Sequence, residues 1–224
     1  VSAVDDLGQL VRARRSVRGF RPDPVPDALI RRAFALAQQA PSNCNTQPWT
    51  VHVVSGEAAE RVRAAMHAAA AAGERPTPDQ PFTGAYPDQY RTRQIDSARA
   101  LYAALGIARG DAEGRRRAGL ANYRFFDAPH AAFVFMRRDF GIREAVDVGM
   151  FAQTLMLALT ADGVASCAQG ALSHYAAIVR RVLGVGEDQQ LLFGIAFGWE
   201  DGGHPANAAR VGRATIDEAA TFHG

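Results

Sequence analysis

The sequence predicts an α+β fold, and three observations carry that prediction. Alternating or unbroken apolar stretches read as strands: "WTVHVVS" at 49–55, "HAAFVFM" at 130–136 and "LLFGIAFGW" at 191–199. Apolar residues recurring at helical spacing mark helices between them. The two element types mix without a regular βαβ rhythm, so the class is α+β. With 224 residues, 48% of them hydrophobic, the chain is long enough to bury one sizeable core. It shows no internal repeat and no domain boundary, and reads as a single domain over 1–224.

Taken in order, Val4, Leu7, Leu10 and Val11 mark a short amphipathic helix. Leu29, Ile30, Ala33, Phe34 and Ala37 mark a second, with Pro26 and Asp27 suited to its first turn. The strand at 49–55 follows, then an Ala-rich helix over 57–72. Residues 73–90 hold four prolines and three aromatics, which predicts a long loop of the kind that forms lids. Helical pieces are expected at about 91–105 and 111–122, and a buried strand at 130–136. Val148, Phe151, Ala152, Leu155, Met156 and Leu159 form a wide apolar helical face, the expected central core helix. "VASCAQG" reads as a short strand and turn, 175–183 as a helix, and 191–199 as a buried strand. From about 200 a Gly- and Asn-rich extension begins, briefly extended at Ala214 to Ile216.

Composition excludes several chemistries. All 25 basic residues are Arg, so there is no Walker A loop, no Schiff-base pyridoxal chemistry and no kinase lysine. A genome-wide Arg bias explains the missing Lys most simply. No G-x-S-x-G elbow occurs, and no G-x-G-x-x-G follows a strand. The six histidines are scattered without H-E-x-x-H, and C-x-x-C is absent, so no metal site is expected. A net charge of +2 does not suit a polybasic nucleic-acid binder. Cys44 and Cys167 are too few for a disulfide scaffold and fit a reducing cytoplasm, with Cys44 read as structural. The opening "VSAVDDLGQL" carries acids where a signal peptide is basic, and no stretch is long and apolar enough to span a bilayer. A cytoplasmic protein without a membrane segment is expected. Any enzyme chemistry then belongs to a bound cofactor.

Four segments remain as candidate sites. In "RARRSVRGF", Arg14, Ser16 and Arg18 alternate, so an extended chain points all three to one side as a phosphate clamp beside Arg15. The bland alternative is a solvated basic turn. "APSNCNTQPW" at 40–49 supplies Ser42, Asn43, Asn45 and Gln47 between the stiffening Pro41 and Pro48. Closing a turn accounts for one or two of these polar residues. "CAQG" at 167–170 is a small-residue turn that lets backbone N–H groups approach a flat ligand, or an ordinary strand-to-helix turn. Arg210 and Arg213 in the tail complete a phosphate site from the far end, or lie free on the surface.

Together "RRSVRGF", "APSNCNTQPW", "CAQG" and "RVGR", in this order, resemble the FMN-dependent nitroreductase family over about residues 5–218. The most specific element is A-P-S-x-x-N-x-Q-P-W at Ala40 to Trp49, following R-x-S-x-R. The 80s loop, "ANYRFFDAPHAAFVFM" and "HPANAAR" look closest to bacterial nitroaromatic and nitrobenzoate reductases. The resemblance implies a mostly antiparallel central sheet flanked by helices, in an intertwined homodimer with FMN held between subunits. It places Arg14, Ser16, Arg213 and Arg210 at the FMN phosphate and Arg18 at the pyrimidine edge and ribityl chain. Pro41, Ser42, Asn43 and Asn45 would reach the flavin from the partner. Gln169 and Gly170 would present backbone N–H groups to flavin N5 and O4, with Ala168 against the ring and Asn122 near the polar edge. Trp49 would anchor the following strand. The implied activity moves electrons from NADH or NADPH through flavin N5 to nitroaromatic or quinone acceptors by a ping-pong mechanism. Phe82, Tyr86 and Tyr90 are the lid candidates that would stack on the acceptor, unless they pack on their own domain. Two departures stand out: only Arg is available where the family often has Lys, and Gln169 stands where it often has an acid. The alternatives are a dehalogenase of the same fold, an FMN sensor or carrier without turnover, and an Arg-rich surface with no flavin.

Overall fold

Every side chain from His130 to Met136 is buried, and this continuous run forms the inner strand β2, His130–Arg137. The computed structural model describes residues 2–81 and 84–224. Period-two alternation divides β2 between two cores. Ala131, Phe133 and Phe135 face one apolar layer, and Ala132, Val134 and Met136 face another. A sheet buried on both faces needs helices on both sides.

The sheet is entirely antiparallel. Its strands are β1 (Thr50–Ser55), β2, β3 (Ala165–Gln169) and β4 (Gln189–Gly198), in the spatial order β1-β2-β4-β3. The helices are α1 (Ala3–Ala13), α2 (Asp27–Ala37), α3 (Gly56–Ala71), α4 (Asp88–Ala104), α5 (Ala112–Leu120), α6 (Ile142–Ala161), α7 (Ala176–Leu183) and a last four-residue turn, α8 (Ile216–Ala219). On one face α3 and α7 supply Val62, Met66, Ala176 and Val179. On the other α2 and α6 supply Ile30, Ala33, Phe151 and Leu155. The apolar face predicted for α6 is this second core. Trp49 anchors β1 as expected: its ring stacks on Phe151 at 4.9 Å, and its Nε1 donates to Gln38 Oε1 at 2.7 Å.

Three expectations need correction. The predicted 111–122 helix stops at Leu120 and gives way to a tight turn over Ala121–Asp127, where Phe125, Phe126 and Asp127 all have positive φ. Burial of both Phe rings offsets that backbone cost. The predicted loop to residue 90 ends earlier, because α4 opens at Asp88 and carries Tyr90. Ile216 does not continue an extended stretch; it opens α8, where Thr215 and Glu218 form a capping box.

A buried imidazole locks the second turn of the chain to β1 and β2. The Val25 amide donates to His130 Nε2 at 2.9 Å, so Nδ1 carries the proton and faces Ser55 Oγ at 2.5 Å. Burial lowers the pKa of His130 from its ordinary 6.5, and it does the same to His52 and His174. The neutral form therefore contributes stability that is complete above pH 6.5 and is lost as pH falls through the lower folded-state value. Protonation also leaves the Val25 amide without an acceptor, which costs about 1–3 kcal/mol. Thermal unfolding between pH 7 and pH 5 should show Tm falling, by roughly 2–4 °C per kcal/mol for a chain this size. The fall should be shallower in His130→Gln.

Candidate functional site

The extended residues after α1 lie along the outer edge of β3. Ser16 forms a parallel bridge with Ser166, and the Val17 amide donates to Ser166 O at 3.1 Å. Farther on, Phe20 bridges Glu200 at the end of β4. The chain can run this close because residue 19 is glycine: a Cβ there would sit 2.1 Å from His204 Cγ.

Alternation then does what the sequence predicts. Arg14, Ser16 and Arg18 line one cleft of about 700 Å³, and Arg210 and Arg213 close it from the tail. Ser97 and Leu101 of α4 and Gln153 of α6 complete its walls, with Val11, Arg12, Arg15, Ala209 and Val211. No carboxylate lines it. Among the described residues, Arg14, Arg18, Arg210 and Arg213 have no ion-pair partner. Most other arginines of the chain do, so this concentration of uncompensated charge is local. Arg15 differs from its neighbours. Its guanidinium pairs with Glu200, and its Nη1 also approaches Asn207 O at 3.4 Å. It lines both this cleft and a smaller neighbouring pocket that holds Gly163 and Ala165.

Asn207 is the residue that sequence reading missed. It is 5% exposed and ties both ends of the chain together. Its Oδ1 accepts from the Arg18 amide at 2.8 Å. Its Nδ2 donates to Gly19 O at 2.8 Å and to Asp201 O at 2.9 Å. Its own carbonyl accepts from Arg210 Nη1 at 2.6 Å. An Asn within a His-Pro-Ala-Asn stretch signals a turn; nothing in the sequence signals that it holds an arginine pair in place.

Beside the cleft, β3 presents a small-residue platform. Ala168 and Gly170 are exposed, while Gln169 between them is 4% exposed. A Cβ built on Gly170 meets nothing within 4 Å, and its φ is ordinary. The backbone here is open to a flat ligand. Gln169 Nε2 donates to Asn122 O at 3.1 Å and to Asn122 Oδ1 at 3.2 Å, while its Oε1 is buried with no partner. Asn122 Nδ2 in turn donates to Gly119 O at 3.1 Å. The amide of Asn122 is thus engaged inside the fold and pins Gln169. Cys167, next along β3, is inert: burial pushes its thiol pKa up despite nearby Arg18, Ser16 and Arg14.

The 40–49 segment lies elsewhere. None of Pro41, Ser42, Asn43, Asn45 or Gln47 lines the arginine cleft. Closing the turn accounts for more of its polar groups than one or two. The Gln47 amide donates to Ser42 Oγ at 2.9 Å, and Gln47 Nε2 donates to Asn45 O at 3.0 Å and Asn45 Oδ1 at 3.2 Å. The Asn43 amide donates to Asp147 Oδ2 on α6 at 2.9 Å. Cys44, Asn45 and Gln47 have positive φ, an unusual cluster outside glycine. Cys44 is exposed, so it packs into no core of this chain.

The predicted lid is tied to the body of the domain. Its first half is strapped down: Tyr175 Oη donates to Glu74 O at 2.9 Å, the Thr77 amide to His174 O at 2.8 Å, and the Leu191 amide to Asp79 Oδ2 at 2.8 Å. Asp79 is also paired with Arg180 at 2.5 Å and Arg138 at 3.0 Å. Tyr86 and Tyr90 are both exposed, and the face of Tyr90 lies under the guanidinium of Arg93 at 5.7 Å. Phe82 lies outside the described residues.

The Nitroreductase family model matches residues 11–199. Nitroreductase NfnB of Mycolicibacterium smegmatis is 46% identical over 97% of this chain and 94% of its own length. Nitrobenzene nitroreductase of Ectopseudomonas oleovorans is 36% identical over 98% of this chain and 96% of its own. A crystal structure of the FMN-dependent nitroreductase NfnB from Mycobacterium smegmatis in complex with NADPH covers all of both chains, with 43% identity and a TM-score of 0.95.

Proposed function

Since this chain belongs to the nitroreductase family, we propose that it is an FMN-dependent oxidoreductase that takes electrons from NADPH or NADH and delivers them to nitroaromatic or quinone acceptors. The observation that carries this reading is the arginine cleft without a carboxylate, opening beside an exposed Ala168 and Gly170. A flavin nucleotide asks for both: cations for a phosphate dianion and a flat, small-residue wall for a ring. Similarity to an FMN-dependent protein crystallised with NADPH supports the same pairing.

Bound FMN supplies the two-electron transfer between donor and acceptor. The chain supplies position and charge. Arg14, Arg210 and Arg213 would neutralise the phosphate, and the Ser16 hydroxyl would hydrogen-bond to it. Arg18 lies 6.0 Å from the Phe126 ring centroid with its amide fixed by Asn207, so its cation is preorganised at the polar edge of the ring. Gln169 and Gly170 offer backbone N–H groups, and Asn122 keeps the Gln169 side chain folded away beneath them. Pro41, Ser42, Asn43, Asn45 and Gln47 act in the active site of a second subunit. Their separation from the cleft supports that, as does α1, which buries none of its residues and leaves Val4, Leu7 and Val11 exposed as a stripe for a partner. The whole chain works as one domain, and the extension after 200 is part of the site.

The test is spectroscopic. The purified protein should show flavin absorption, bleach anaerobically with NADPH, and recover on addition of 4-nitrobenzoate. Double-reciprocal plots should be parallel, as one shared slot requires; intersecting lines would rule out alternating occupancy. Gly170→Ala should leave Tm unchanged, since nothing lies within 4 Å of the new methyl. The same change should weaken FMN binding about tenfold, or ~1.4 kcal/mol, because the methyl occupies the ring's side of the strand.

A further inference from the structure

A second cleft, of about 710 Å³, lies between α4 and the tail, and it shares Arg210 and Arg213 with the first. Its remaining charged walls are Arg93, Asp96 and Glu218. Arg93 is the cation of this cleft that the flavin reading does not use. Asp96 pairs with Arg99 at 3.3 Å. Arg93 instead donates from Nη2 to Glu218 Oε2 at 3.0 Å, across the gap between α4 and α8. Both side chains are about half exposed, so the pair is weak and easily exchanged. Glu218 sits on a four-residue helix, α8, capped by Thr215. A phosphate monoester carries more charge than a carboxylate and offers three acceptor oxygens to a guanidinium fork.

We infer that this cleft reads the phosphate on the adenosine ribose of NADPH, with Arg93 as the specificity-determining cation and Glu218 as its built-in competitor. The inference rests on the reading of the neighbouring cleft as the flavin phosphate site. NADH and NADPH differ only in that phosphate. A cation held by an exchangeable internal anion, sharing a wall with the cofactor clamp, is suited to discriminate between them. In the absence of the phosphate Glu218 keeps Arg93 neutralised, and NADH finds no excess charge there.

Two substitutions with opposite expected signs test this. Flavin-loaded protein is titrated calorimetrically with adenosine 2′,5′-bisphosphate and, separately, with AMP. Arg93→Ala should lower affinity for the bisphosphate about tenfold and leave AMP unchanged. Glu218→Gln should raise bisphosphate affinity several-fold. The ratio of kcat/KM for NADPH to that for NADH should move in the same two directions. A merely structural ion pair would make both variants act alike, and that result overturns the inference. So does equal weakening of AMP and bisphosphate, which would place Arg93 at the shared part of the nucleotide. Loss of flavin in Arg93→Ala also overturns it, while leaving the proposed activity intact. Should the wild-type protein take up no flavin, the proposed activity fails and the inference that rests on it falls with it.

Discussion

Asn207→Ala should cost both stability and the grip on FMN. The substitution removes one acceptor and two donor contacts at once: it orphans the Arg18 amide, while the carbonyls of Gly19 and Asp201 keep their bonds from the Asp201 and His204 amides. Each buried orphan costs about 1–3 kcal/mol. One orphan and two weakened carbonyls share one side chain, so about 2–3 kcal/mol is expected in urea unfolding. The second effect is local. Arg18 loses the tether on its backbone, and the tail loses its tether to the 12–20 segment. Phosphate affinity of the flavin site should fall at least about tenfold, read by quenching of flavin fluorescence on titration. Asn207→Asp separates the two contributions poorly and should rescue neither, because its second oxygen would face the carbonyls of Gly19 and Asp201. Wild-type flavin affinity in Asn207→Ala would show that the tail is held by other means.

The other large effect is expected at Asp79. Its side chain is 6% exposed and that of Arg180 is 8% exposed. Burial alone would raise the carboxyl pKa, but the Leu191 amide, Arg180 and Arg138 together hold it below its ordinary value. The contribution is therefore complete above pH 3.8 and is lost as pH falls through the lower folded-state value. Removing one partner strands the other in the interior, a loss of about 3–5 kcal/mol. Asp79→Ala leaves the Arg180 guanidinium with Gln189 O at 3.4 Å and with Glu187, whose Oε2 lies 3.2 Å from Nε without the alignment of a hydrogen bond. Tm should fall by about 6–20 °C, at roughly 2–4 °C per kcal/mol. Limited proteolysis should then cut within 74–81, the half of the loop that Asp79 straps down. The paired change Asp79→Leu with Arg180→Met should recover most of the loss, since no buried charge is left unpaired; Arg138 and Glu187, which lose these partners, are exposed.

How much of this was legible in the chain differs between its levels. The strands were readable wherever burial leaves an apolar trace, as in 49–55 and 130–136. β4 begins two residues before its apolar run because Gln190 is buried as a polar residue, donating to Arg137 O at 2.9 Å and Phe140 O at 3.2 Å. The positive-φ turn at Phe125–Asp127 carries no Gly and no Pro, and so gives no turn signal. Of the candidate site, the arginine alternation was readable because it depends only on extended backbone. The roles of Asn207, Asp79 and Asn122 were not. Each bonds to residues dozens to nearly two hundred positions away, and no local pattern encodes a partner that distant. For the same reason the bond of Asn122 to Gln169 was not readable: its neighbour lies 47 residues on.

The strand order has a bearing on synthesis. β4 is made last, yet it lies between β2 and β3, and β3 has no other strand beside it. A nascent chain that stops before Gln189 therefore exposes an apolar edge of β2 and a β3 held only along its outer edge by the Ser16–Val17 segment. Arg210 and Arg213 emerge only after that gap is filled. Cofactor capture is thus the final act of a chain that cannot fold piecemeal from its first residue, and an interrupted message yields a sticky fragment in place of an idle enzyme.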